Sequence, residues 1–86
     1  MEAIDKRTFW SAFSGDGSDG YVTLRGNQFK GGGKMLVTSR YTGGSGYSLY
    51  PLFCAQVMSG YAYVYVRERD GSIPTGNIAF NYMVAP

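Results

Sequence analysis

The chain has 86 residues, among them 13 glycines, 8 tyrosines, a single cysteine and no histidine, and it carries a formal charge of +2. One small domain fits that length, with a core too modest to be comfortable without a staple or a neighbouring subunit. The lone Cys54 excludes an intramolecular disulfide, the missing histidine excludes Ser–His and Cys–His catalysis and histidine-based metal sites, and so weak a charge does not itself imply nucleic acid.

No run of apolar residues is long enough to cross a membrane, and no cationic start leads into an apolar stretch. Neither membrane insertion nor a secretory leader is expected. Oligomerisation is the remaining route to extra buried area, and it is the default expectation. With Met1 at its start, the chain reads as an excised tip or a small free-standing protein.

Residues 1–7 are too few for an isolated helix and read as an arm or an oligomer contact. The first strand is expected over residues 8–13. Its Trp10 is either an aromatic core anchor or a platform for a sugar ring. A glycine- and aspartate-rich break at 14–19 precedes a second strand over 20–25. Gly15, Gly17 and Gly20 match the spacing of a dinucleotide fingerprint, but a strand follows where a helix is needed, and Asp16 and Asp19 would repel a pyrophosphate. The same aspartates resemble half a calcium loop that lacks its downstream bidentate glutamate. Both matches reduce to a turn.

Gly31 to Gly33 lead into a third strand over 34–41. Lys34 is not followed by the Ser or Thr of a phosphate loop, so a glycine linker is the better reading. The fourth strand is expected over 47–57 and contains Pro51, which suits an edge strand or a bend. Its apolar segment predicts a buried, inert thiol at Cys54.

The closing third is the most informative. In the fifth strand, 61–69, Tyr61, Tyr63, Tyr65, Arg67 and Arg69 share one face, opposite Ala62, Val64, Val66 and Glu68. A polar loop from Asp70 to Thr75 leads to a sixth strand, 76–85, whose row of Ile78, Phe80, Tyr82 and Val84 places Phe80 in the core. Asp-Gly-Ser occurs at Asp16 and again at Asp70, each time as a turn. Regularly spaced strands with turn signals give an all-β fold, a small antiparallel β-sandwich of about six strands spanning 1–86, with no helix beyond a turn before Thr8.

The acidic residues lie in turns, near a terminus or at strand ends, and so small a chain offers little cleft for a pair of catalytic carboxylates. The reading is therefore non-enzymatic, with no cofactor and no metal. The tyrosine–arginine row is the best functional candidate. Aromatic rings stack on sugars and bases, and arginine adds directional donors. The same tyrosines would serve equally as cross-strand filler or as a subunit interface.

The run from Ala62 to Ala85, with its V-x-V strand (Val64, Val66), polar loop and N-[IV]-x-F-x-[YW]-[ILM]-[VA] strand (Asn77 to Val84), resembles the closing hairpin of H-type lectin domains and of similar bacteriophage tail-fibre tips. That resemblance implies a six-stranded sandwich that forms a trimer or hexamer, sits on a virion and binds cell-surface glycan. No counterpart of the lectins' N-acetylgalactosamine constellation is found, so no sugar contact carries over. On the residues alone, the ligand-binding set is Tyr61, Tyr63, Tyr65, Arg67 and Arg69, with Trp10 and Asp70 secondary. The rival is a structural virion subunit, in capsid decoration or tail assembly, whose aromatic face is an interface. Nucleic acid ranks third, because phosphate affinity needs clustered Lys and Arg.

Overall fold

Alternation of apolar and polar residues decides which strands form and which way they face. The computed structural model describes residues 7–40 and 51–86. Its strands are β1 (Phe9–Asp16), β2 (Tyr21–Arg25), β3 (Lys34–Ser39), β4 (Leu52–Met58), β5 (Tyr61–Arg67) and β6 (Asn77–Ala85), and no helix occurs among the described residues. All pairings are antiparallel. One sheet has the order β1-β6-β3 and the other β2-β5-β4. Successive strands β1–β2, β2–β3 and β5–β6 step from sheet to sheet, a reduced form of jelly-roll winding. The fold is the small all-β sandwich expected from the sequence.

The inner faces supply the core. Ala62, Val64 and Val66 of β5 face Ile78, Phe80, Tyr82 and Val84 of β6, all of them buried. Phe80 joins the sheets: its ring stacks on Phe13 of its own sheet and meets Phe53 of the other edge-on, each at 5.2 Å. Burying one such side chain contributes about 1.5–3 kcal/mol. Phe29 comes from the loop between β2 and β3 and plugs one end of the sandwich, stacked against Tyr82. Its carbonyl accepts from Gly60 N, and Gly60 O in turn accepts from Gly26 N, so the plug is tied to the β4–β5 hairpin.

Three strand ends fall two or three residues from the sequence expectation. β1 runs on to Asp16, because Ser14 and Gly15 still pair with Ala79 and Ile78. β5 stops at Arg67, because Glu68 N bonds to Ser72 O and Gly71 N to Glu68 O, which curls the chain into a turn. β3 ends at Ser39, with Arg40 outside the strand, and Tyr41 of the expected strand lies outside the described residues. Pro51 immediately precedes β4, which is an edge strand as expected. The arm proposed for residues 1–7, apart from Arg7, and the first part of the strand proposed over 47–57 lie outside the described residues.

Cys54 corrects an expectation: it is exposed. In β4, Phe53, Ala55 and Val57 turn toward the core, leaving Leu52, Cys54 and Gln56 on the outside. The polar Gln56 shares its parity with Cys54, and that was the signal for an outward thiol.

Candidate functional site

The outer face of the β2-β5-β4 sheet is built by three strands in register. Val22 and Leu24 of β2 and the Ala62–Val66 row of β5 face inward, which forces Tyr21, Thr23 and Arg25, and then Tyr61, Tyr63 and Tyr65, outward. Antiparallel pairing sets Tyr21 beside Tyr65, Thr23 beside Tyr63 and Arg25 beside Tyr61. On the far side the same three tyrosines face Met58, Gln56 and Cys54 in turn.

The rings form one aromatic surface. Tyr61 and Tyr63 meet edge-on at 5.4 Å, Tyr63 and Tyr65 are tilted at 6.1 Å, and Tyr21 lies 6.0 Å from Tyr63 and 6.1 Å from Tyr65. Tyr21, Tyr63 and Tyr65 line an open hollow of about 260 Å³. The Tyr65 hydroxyl approaches Gln56 Oε1 at 3.5 Å, too long for a firm O–H···O bond, so it remains available to another partner. The Arg25 guanidinium sits 5.9 Å from the centre of the Tyr61 ring, within cation–π reach.

The residues singled out from the sequence do not form one site. Tyr61, Tyr63 and Tyr65 do stand together on this face. Arg67 follows them on β5, but its Nη1 donates to Gly20 O at 2.8 Å and to Val66 O at 2.7 Å. It therefore clamps the β1–β2 turn. Arg69 lies beyond the end of β5 and out of the tyrosine row. Asp70 closes its own turn, accepting from Ser72 N at 2.9 Å and Ser72 Oγ at 2.6 Å. The Ser72 hydroxyl, then its backbone N–H, hold the Asp70 carboxyl below the usual carboxylate range.

Trp10 is on the opposite side of the molecule. Phe13 faces inward on β1, so Trp10 takes the outward parity and is 57 % exposed, not a core anchor. With Leu36, Thr38, Asn81 and Met83 it edges a hollow of about 40 Å³, little more than a water or two in size. Met83 pairs with both Trp10 and Leu36, giving a narrow apolar strip across the β1-β6-β3 sheet.

Tyr21, Thr23, Arg25 and Gln56 belong to the tyrosine face and were not among the sequence candidates. The parity of β2 was readable from Tyr21-Val22-Thr23-Leu24-Arg25, but nothing local tells that β2 pairs with β5. No family model, curated protein or solved structure gives a significant match to this chain.

Proposed function

We propose that the protein is a non-enzymatic carbohydrate- or receptor-binding module whose contact surface is the tyrosine face of the β2-β5-β4 sheet. The observation that carries this reading is the hollow lined by Tyr21, Tyr63 and Tyr65 on a solvent-facing sheet. Tyrosine presents a flat apolar ring to the C–H face of a sugar and a hydroxyl to its polar edge. Thr23 and Gln56, in the same cross-strand row as Tyr63, add polar side chains beside it. The likeness of the closing hairpin to H-type lectins and tail-fibre tips supports the same direction and suggests an oligomeric adhesin on a virion.

A glycan array probed with pure protein, together with adsorption to cells, tests the reading. Binding that is lost in Tyr63→Ser, with the fold retained, is the expected result. Silence of the parent in both assays sinks it.

A structural virion subunit is favoured instead by the large apolar side chains exposed on both outer faces, Trp10 and Leu36 on one and Leu52 on the other. Sedimentation separates the two readings. If Tyr63→Ser dissociates an oligomer, the face is an interface; if the oligomer persists while adsorption is lost, it is a ligand site.

A further inference from the structure

We infer that the tyrosine face is selective for acidic saccharides, with Arg25 recognising a carboxylate carried by a sugar that lies along the Tyr61–Tyr65 row. This inference rests on the carbohydrate reading above and adds the chemical class of the ligand.

The first observation is charge. The outward positions of β2, β4 and β5 hold two arginines, Arg25 and Arg67, and no aspartate or glutamate. A surface without a carboxylate does not repel an anion. It also lacks the acidic acceptors that would otherwise fix the hydroxyls of a neutral sugar.

The second observation separates the two arginines. Arg67 spends its Nη1 on the carbonyls of Gly20 and Val66. Arg25 is exposed, its guanidinium carbon lies 5.9 Å from the centre of the Tyr61 ring, and no ion pair holds it among the described residues. A guanidinium within cation–π reach of a ring has part of its freedom already restricted, which lowers the ordering cost of a bidentate bond to a carboxylate.

The third observation is reach. Tyr61, Tyr63 and Tyr65 extend over four residue steps, about 13 Å at the rise of an antiparallel strand. The hollow lies at the Tyr65 end and Arg25 at the Tyr61 end. A sugar stacked in the hollow therefore leaves room for a second ring, whose acidic group meets Arg25.

A single-stranded nucleic acid would use rings and arginines as well, but it also needs a basic groove that follows the phosphates. One available guanidinium at the end of the row suits a discrete carboxylate better.

The test is an array of matched pairs, each acidic oligosaccharide printed beside its carboxyl-reduced form, with oligo-dT as a further probe. Acidic members should bind at least about tenfold more tightly than their reduced partners, the scale of one charge-assisted contact. Arg25→Gln should remove that preference and keep residual binding to both forms, with an unchanged circular dichroism spectrum. Equal binding of acidic and reduced members by the parent overturns the inference and leaves the carbohydrate reading standing. Binding to neither half overturns both. Preference for oligo-dT, with affinity falling steeply as salt rises, assigns the face to nucleic acid and overturns the inference too.

Discussion

The two sheets solve the same inner problem and differ on the outside. Toward the core, β5 presents alanine and valines and β6 presents isoleucine, phenylalanine, tyrosine and valine, all close-packed and closed to ligand. Outward, the β2-β5-β4 sheet carries four tyrosines with Thr23, Gln56 and Arg25, while the β1-β6-β3 sheet carries the strip of Trp10, Leu36 and Met83. The first surface has rings with polar handles around an open hollow of about 260 Å³. The second has only a narrow apolar strip bordered by Thr38 and Asn81, and its hollow admits only water-sized groups. Packing therefore explains the inner rows completely, whereas the outer rows differ in ways that packing does not require. That difference is why the proposed function is placed on an outer row.

The sharpest way to break that division is to remove something both sheets share. Phe80 touches Phe13 in one sheet and Phe53 in the other. Phe80→Ala should cost about 3–5 kcal/mol in urea denaturation, a large part of the stability of so small a domain. Both outer faces should be lost in the same transition. A variant whose midpoint does not move would show that the core does not couple the sheets.

A second substitution acts where one sheet hands the chain to the other. Gly20 has φ of +82°, and a Cβ there would lie 2.7 Å from Arg67 Nη1 and 3.3 Å from Ile73 Cδ1. Gly20→Ala should destabilise by about 1–2 kcal/mol from the left-handed backbone alone, with more if Arg67 is displaced from the Gly20 carbonyl. Arg67→Ala removes the same clamp from the other side and should give a loss of similar size. The double variant should fall short of the sum, because both changes break one contact.

These positions also mark how far the sequence could be read. The face assignments of β5 and β6 were plain, since strict alternation over seven or more residues leaves one self-consistent parity. Phe29 was invisible: it is a core residue supplied by a loop, with no periodic neighbours to announce it. Arg67 was assigned to the surface by parity and does lie on the outer face. Its partner, Gly20, is 47 residues away in the chain, and only the closed sandwich brings them together. The tyrosine row was half legible for the same reason. β5 showed its own three tyrosines, while Tyr21 and Arg25 joined them through a strand pairing that local pattern does not encode.

A third prediction addresses one face without the other. Tyr63 touches Tyr21, Tyr61 and Tyr65 on the outside and nothing in the core depends on its ring. Tyr63→Ser should cost about 1–2 kcal/mol through lost aromatic pairs, well below Phe80→Ala, while emptying the centre of the proposed ligand surface. Trp10→Ser, on the opposite sheet, should leave glycan binding as it is. If both substitutions abolish binding equally, the distinction between the two faces fails.

The smallest effect concerns acid. Asp16 and Asp70 occupy equivalent Asp-Gly-Ser turns, one in the β1–β2 connection and one in the β5–β6 connection, and both connections join the two sheets. Gly17 N also bonds to Gly76 O, so the two connections meet at one end of the sandwich. For Asp16 the Ser18 backbone N–H and then its hydroxyl hold the carboxyl below the usual range; for Asp70 the order of the Ser72 donors is reversed. A carboxyl whose folded-state pKa is depressed contributes stability that is fully present above its unfolded value, about 3.9, and is lost as pH falls through the folded value. The contribution of these two groups should therefore be constant near neutral pH, and stability should decline on the acid side of about pH 4. Asn at either position keeps an oxygen for the serine N–H but has no proton to take up. Asp16→Asn with Asp70→Asn should lower the neutral midpoint slightly, because two charge-assisted bonds become neutral ones, and flatten the acid limb of a melting-temperature profile. An acid limb as steep as the parent's would mean that other carboxylates set it, and that the paired turns do not govern how the sheets part in acid.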